Sequence, residues 1–335
     1  MTKTFARVLL VLGCFGLSAP VMAEGGSFIF PVDCEYGKTC WIPNYVDLKP
    51  GPGVLDYTCR DASYDAPPGD QHKGTDIAIQ DIRALRDGVA VVAAASGVVI
   101  GQRDGLQDIN YKERTNPLAD TQFCGNGLTI QHGDGLITQY CHMKKGSVFF
   151  FKDDRVKQGD FLGYVGLSGY TDFPHLHFQI TKDKQVIDPF AGFDRQKKCG
   201  LGKQPLWNTK TLEKTPYEPS VIFNAGFSFQ KPDYKAIRTG LYKSKTVSTT
   251  VPALVAWAEM FRVKTGNTID FVLYGPGGQK IHQKTVNIKA DKVRYTAFSG
   301  LRRKGKQWPT GTYRATITLK HIRGESAVTR KIHMK

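Results

Sequence analysis

Acidic residues are scarce at one end of this chain. Residues 200–335 hold 7 Asp/Glu against 25 Lys/Arg, whereas residues 24–199 hold 23 against 19. An asymmetry of that size predicts two modules with different partners, the basic one drawn to polyanions. Long apolar runs are also lacking. Beyond the first 23 residues no stretch approaches the 18 or more apolar residues of a membrane span, so no transmembrane span is expected in the mature chain. No helix-turn-helix or zinc-finger pattern accompanies the basic half, which argues against nucleic acid as a partner. No CxxC pair occurs, which disfavours a structural zinc site built from neighbouring cysteines. An apolar share of 41% is too high for a mostly disordered chain and too low for a polytopic membrane protein. The 35 Gly and 17 Pro, together with 14 Tyr and 19 Phe, favour short strands and many turns over long helices.

Residues 1–23 read as an export signal. Lys3 and Arg7 precede an apolar stretch from Val8 to Leu17, and Ser18–Ala23 ends in small or apolar residues suited to cleavage after Ala23. A membrane anchor is the alternative, as is lipidation at Cys14 after Val11-Leu12-Gly13. Cleavage leaves six of the seven cysteines, an even number that suggests three disulfides in an exported chain. Cys34 and Cys40 are near enough to close a small loop. Cys124 and Cys141 flank an apparent hairpin turning at Gly133-Asp134-Gly135, and Cys59 and Cys199 are then left to pair.

Gly and Pro cluster near 196–220 and mark a boundary. Beyond it, alternating apolar runs at Ser220–Phe229, Ala253–Val263, Thr268–Tyr274, Lys292–Phe298 and Thr312–Lys320 are separated by turn signals. This pattern predicts an antiparallel β-sandwich of immunoglobulin-like type. His282, His321 and His333 are scattered through it and form no catalytic group.

The remaining five histidines are concentrated between positions 72 and 177. They occur in His72-Lys73-Gly74-Thr75-Asp76, Gln131-His132-Gly133, Tyr140-Cys141-His142-Met143 and His175-Leu176-His177. On a strand, residues i and i+2 share a face, so His175 and His177 look into one cleft. Gly-Thr between His72 and Asp76 favours a bend into a strand that brings both side chains to one point. Two His and one carboxylate make a three-ligand set for catalytic Zn²⁺, with a position left for water. A further His would take or donate a proton. His132 reads as a structural residue beside a turn. Each motif is weak alone, and their order and spacing are more telling.

As a set, they resemble the lysostaphin/LytM-type zinc metallopeptidases of the bacterial cell wall over roughly residues 60–192. The matching features are the HxGxD of His72–Asp76, the strand pair within Val89–Ile100, and the hairpin from Gly125 to Met143 with its Tyr140-Cys141-His142. Val156–Asp160, Gly163–Gly169 and Pro174–Phe178 complete the pattern. The resemblance implies that His72, Asp76 and His177 bind one Zn²⁺ per chain and that His142 and His175 flank the metal-bound water as general base and transition-state stabiliser, in either order. It implies a LytM-like β-rich catalytic domain and hydrolysis of peptide bonds in peptidoglycan; with the antiparallel sandwich read from the later strand pattern, the expected fold is mainly β. Gln179 departs from the family, which often has Glu there. The stretch 103–123 is longer than the family's hairpin connection, as suits a loop that gates or selects substrate, or a tolerated surface insertion.

The expected organisation is a signal peptide at 1–23, a Cys-containing extension at 24–59 packed on the catalytic domain, a zinc metallopeptidase domain at 60–199, a linker at 200–219 and a basic β-sandwich at 220–335. The extension is also able to occlude the groove, with Asn44 or Asp47 approaching the metal. The expected protein is an exported endopeptidase, periplasmic more readily than secreted or lipid-anchored, with peptidoglycan as substrate and anionic wall or envelope polymers as further partners of the sandwich. A periplasmic setting would favour bonds next to D-Ala and diaminopimelate over glycine bridges. The alternatives are a non-catalytic activator of other murein hydrolases, and a secreted protease acting on proteins or competitor walls.

Overall fold

The computed structural model describes residues 27–66, 70–193 and 199–335. The expected signal peptide and Cys14 lie outside the described residues. Strands dominate, as expected for a mainly β chain. Six of them build the sheet that carries the histidines: β1 (Cys40–Asn44), β2 (Thr75–Ile79), β3 (Gly97–Arg103), β4 (Asn126–Gln131), β5 (Leu136–Met143) and β6 (His175–Lys182). Their spatial order is β1-β2-β6-β5-β4-β3, all antiparallel. Short strands at Arg155–Val156 and Gln185–Ile187 extend it beside β3 and β6. β1 and β2 are buried along their whole length, the polar Asn44, Thr75 and Asp76 included.

Three disulfides tie this region, Cys34–Cys40, Cys59–Cys199 and Cys124–Cys141, the pairing expected from their spacing. The core beneath the sheet runs from Phe28 to Trp207. The stretch 200–219, expected as a linker, contributes Leu206 and Trp207 to this core, and the Trp207 ring stacks on Phe178 at 5.4 Å. Its Gly and Pro residues turn the chain without freeing it from packing.

The rest of the chain is a sandwich. β7 (Val221–Ser228), β8 (Ala253–Val263) and β11 (Lys292–Arg302) form one sheet in the order β7-β8-β11. In the other, β9 (Thr268–Tyr274), β10 (Lys280–Asn287), β12 (Gly311–His321) and β13 (Gly324–Met334) lie in the order β13-β12-β9-β10. A two-residue strand, Thr246–Val247, adds to the outer side of β13 in parallel, a small departure from an all-antiparallel sandwich. β12 shows the period of two: Tyr313, Ala315, Ile317 and Leu319 are buried and the residues between them are more open.

β8 departs from that alternation, since all eleven of its residues are buried. Leu254, Ala256, Ala258 and Met260 fill the sandwich core, while Phe261 on the other face joins Val221 and Phe223 against Trp41 of β1 and Ala78 of β2. Phe223 stacks on Phe261 with ring centroids 4.0 Å apart. Burying an aromatic side chain of this kind is worth about 3 kcal/mol or more against truncation. Polar contacts frame this apolar seam. Lys243 Nζ lies 3.0 Å from Asp81, whose carboxylate also caps the helix Ile82–Asp87, and Gln80 donates to the Phe223 carbonyl. The sandwich is therefore fixed against the two strands that carry Asn44 and Asp76.

One buried carboxyl of the first core has a pH signature. Asp188 Oδ1 accepts from the Phe190 and Ala191 N–H groups, while Oδ2 is buried with no hydrogen-bond partner among the described residues. Burial pushes its pKa up to about 7. A raised carboxyl pKa means that the folded state holds the proton longer than the unfolded state. This stabilising contribution is complete below the unfolded value, near 4, and is lost as pH rises through about 7. Asp188→Asn keeps the turn and removes the titration. Urea unfolding from pH 4 to pH 8 should show the wild type losing stability relative to Asp188→Asn, by on the order of 4 kcal/mol at most. Parallel curves for the two proteins would refute this account of Asp188.

Candidate metal centre and active site

Strand register assembles the site from residues far apart in sequence. Asn44 on β1 pairs with Asp76 on β2, Asp76 pairs with His177 on β6, and His177 pairs with Cys141 on β5. Directly paired residues share a face, so Asn44, Asp76, His177 and Cys141 form a row across four strands. His175, two residues before His177, lies on the same face.

His142 would point away from that face in a regular strand. A bulge prevents this: Asn126 pairs with Met143 and Leu128 with Tyr140, so β5 carries one extra residue there. His142 takes a left-handed φ of 62° within the bulge, and its ring turns to lie 4.7 Å from His175. The Cys124–Cys141 disulfide and the bond from His142 N–H to the Cys124 carbonyl (2.7 Å) hold the bulge in place.

His72 stands in the loop before β2. Its Nδ1 lies 2.7 Å from the Tyr45 carbonyl and Tyr64 stacks on the ring at 4.3 Å. A carbonyl only accepts, so Nδ1 carries the hydrogen and Nε2 presents a lone pair. His142 Nδ1 is tied in the same way to the Ser168 carbonyl (2.8 Å), and His175 Nδ1 to the Phe173 carbonyl (3.0 Å), which leaves Nε2 as the working nitrogen of both rings. His132 sits apart, bonded at both nitrogens to the Ser96 carbonyl and Thr138 Oγ1, as a structural residue.

Three atoms converge. His72 Nε2, Asp76 Oδ1 and His177 Nδ1 are separated by 3.1, 2.9 and 3.1 Å. Ligands of a tetrahedral zinc ion at 2.0–2.1 Å stand roughly 3.3 Å from one another, so the trio fits such an ion with little adjustment. Its chemistry fits as well. A lone pair of His72 faces a carboxylate oxygen inside a buried site, an arrangement that favours a cation among them. His175 Nε2 lies 3.3 Å from the same Asp76 oxygen, is too poorly aligned to bond it, and has no hydrogen-bond partner.

Charges follow from this crowding in the metal-free chain. Burial works to raise Asp76, but His72 and His175 outweigh it and hold the carboxyl well below the usual range. Burial, then the charges of His175 and His177, pushes His142 well down. Burial lowers His177, whereas at His175 the nearby Asp76 overcomes burial and raises it.

Gly74 of the His72–Asp76 motif is there for space. A Cβ on it would lie 2.6 Å from two atoms of the His177 ring and 2.8 Å from the Phe178 carbonyl. Gly74→Ala should push His177 out of register with Asp76. Zinc affinity, read by chelator competition, and peptide hydrolysis should each fall by about 10²-fold. Wild-type values for both would show that the glycine is not needed for space.

The five side chains lie in a groove with an aromatic wall. Tyr170 packs on both Tyr111 and Phe123, with ring centroids 4.1 and 4.8 Å away, and Phe173, Gln179 and Val293 complete the lining. Tyr111 and Phe123 come from the long 103–123 segment. Asp104 and Asp108 pin that segment by accepting from the backbone N–H groups of Gly146, Val148, Lys145 and Leu167. It is a fixed wall of the groove. Of the two extension residues expected near the metal, Asn44 donates to Asp76 Oδ2 at 2.8 Å. Asp47 does not face the cluster, because its Oδ1 accepts from the Lys49 and Leu55 N–H groups. Sequence motifs gave no sign of Tyr64, Phe173 or Val293, which line the site from outside the motifs.

Comparison with known proteins agrees with this geometry. Residues 70–189 match the model of peptidase family M23. An uncharacterized metalloprotease of Buchnera aphidicola is 30% identical over 118 residues, which are 35% of this chain and 25% of that one. The DD-carboxypeptidase/endopeptidase Mpg of Neisseria meningitidis is 30% identical over 107 residues, 32% of this chain and 22% of Mpg. The glycyl-glycine endopeptidase ALE-1 of Staphylococcus capitis is 43% identical over 130 residues, 38% of this chain and 30% of ALE-1. The chain thus spans about a quarter of the length of the curated relatives it matches. Among the described residues no helix is long and apolar enough to cross a membrane. Residues 70–189 of this chain, with their cluster of His72, Asp76 and His177, form a peptidase family M23 domain.

Proposed function

We propose that the chain is an exported, zinc-dependent endopeptidase that hydrolyses peptide bonds in peptidoglycan. The observation that carries this reading is the convergence of His72, Asp76 and His177 on one point, with the Nε2 atoms of His142 and His175 beside it in an open groove. His72, Asp76 and His177 would hold one Zn²⁺, which when bound acidifies a water and polarises the substrate carbonyl.

The chain's own groups do the rest. The Ser168 and Phe173 carbonyls fix which nitrogen of His142 and His175 faces the substrate. One Nε2 takes the proton released on attack, and the other, once protonated, donates to the oxygen on which charge develops. The aromatic wall of Tyr111, Phe123 and Tyr170 holds an extended peptide alongside these groups. The basic sandwich, with Lys and Arg on open strands such as β10 and β13, would keep the enzyme near anionic wall or envelope polymers.

A substrate panel tests the substrate class. Cross-linked muropeptide dimers, monomeric stems, glycine-bridged peptides and casein are incubated with the zinc-loaded chain, and new amino termini are counted. Cleavage confined to the muropeptides is expected. Cleavage of casein at a comparable rate would instead support a general protease.

A further inference from the structure

Arg262 belongs to the sandwich but spends its donors on the other side of the seam. It is 5% exposed, and among the described residues no carboxylate lies within ion-pair distance of it. Nε donates to the Pro43 carbonyl, Nη1 to the Asp61 carbonyl (2.8 Å), and Nη2 to the Ser63 carbonyl (2.8 Å) and to Asn44 Oδ1 (2.5 Å). Its backbone has a φ of 44°, a left-handed conformation that a β-strand arginine rarely adopts. The surrounding contacts hold the residue there.

Asn44 stands between this fork and the metal cluster. A guanidinium only donates, so the amide atom facing Arg262 must be oxygen. That choice turns Nδ2 toward Asp76, where it donates to Oδ2 at 2.8 Å. With Oδ2 engaged, Oδ1 is the oxygen left facing His72 and His177. We propose that Arg262 and Asn44 are positioning residues for Asp76, a relay through which docking of the sandwich sets the geometry of the metal centre. The proposal rests on the reading of His72, Asp76 and His177 as metal ligands. Groups that orient a ligand typically change metal affinity by 10–100-fold when removed.

The test is a double-mutant cycle on the full chain, read as zinc affinity by chelator competition and as the visible absorption of the cobalt(II) form, with no substrate present. Asn44→Ala and Arg262→Lys should each weaken zinc binding by about tenfold or more and shift the cobalt spectrum. Lysine keeps the charge but cannot span four acceptors. In the Asn44→Ala background, Arg262→Lys should cause no further loss of zinc affinity. Thermal unfolding of the metal-free proteins separates this from a packing role: Arg262→Lys should lower Tm in both backgrounds, because three backbone carbonyls lose their donor whether or not Asn44 is present. Wild-type zinc affinity in Asn44→Ala would overturn the relay, and that result stands even if Arg262→Lys fails to fold. So would a full Arg262→Lys penalty in the Asn44→Ala background. A cycle that behaves as expected in a protein that cleaves no peptide would leave the relay standing and remove the proposed activity. A wild type that binds no zinc would remove both.

Discussion

Asp76→Asn should eliminate hydrolysis. Asp76 Oδ1 lies within 3.3 Å of nitrogens from His72, His175 and His177, and among the described residues it is the only carboxylate in that cluster. An amide leaves two neutral imidazoles to hold a dication and removes the charge that makes the buried site favourable for it. Losing several kcal/mol of metal-derived stabilisation corresponds to a rate loss of about 10³-fold or more. Zinc content after dialysis should fall with it. The carboxylate is not needed to hold the sheet together, because the Asn44–Asp76–His177 register is set by backbone pairing. The variant should therefore unfold cooperatively like the metal-free wild type. An Asp76→Asn protein that keeps its zinc and its rate would show that the ligand set is wrong.

His142→Ala should separate catalysis from metal binding. His142 touches none of the three converging atoms through a hydrogen bond. Its Nδ1 is tied to Ser168, and its ring lies 6.0 Å from that of His177. Removing it should leave zinc content unchanged and lower kcat/KM by about 10²–10⁴-fold, the range for a positioned acid or base. The pH profile should lose the limb that belongs to this proton. Equal losses of zinc and activity would instead place His142 among the ligands. Full activity would remove it from the mechanism.

Much of the site is legible in the sequence, and the reasons are local. HxGxD and HxH place polar groups at fixed short spacings, and strand alternation alone puts His175 and His177 together. The disulfide pairs follow from proximity and elimination, and the long runs Ala253–Val263 and Thr268–Tyr274 show their strand boundaries in their composition. Other features depend on contacts between distant residues. Nothing local indicates that Asp76 pairs with His177, 101 residues away, or that a bulge turns the His142 ring into the groove. Arg262 reads as one polar residue in a strand, because the carbonyls that bury it belong to residues 43–63. β10 and β13 escape notice because Lys, Arg and Gln on their open faces mask the alternation. The same cause works in reverse at β8, where a second buried face against Trp41 and Ala78 removes it. Trp207 shows that Gly and Pro mark turns and do not mark free linkers.

The most direct test of the proposed zinc endopeptidase activity is digestion of purified murein sacculi by the chain from residue 24 onward, with products read by mass spectrometry. Three conditions are needed: added zinc, a chelator, and His177→Ala. The account predicts new peptide termini with zinc alone, none with the chelator until zinc is restored, and none from His177→Ala under any condition. Cleavage that survives the chelator or the loss of His177 would contradict it, as would intact sacculi after treatment with a folded, zinc-loaded wild type.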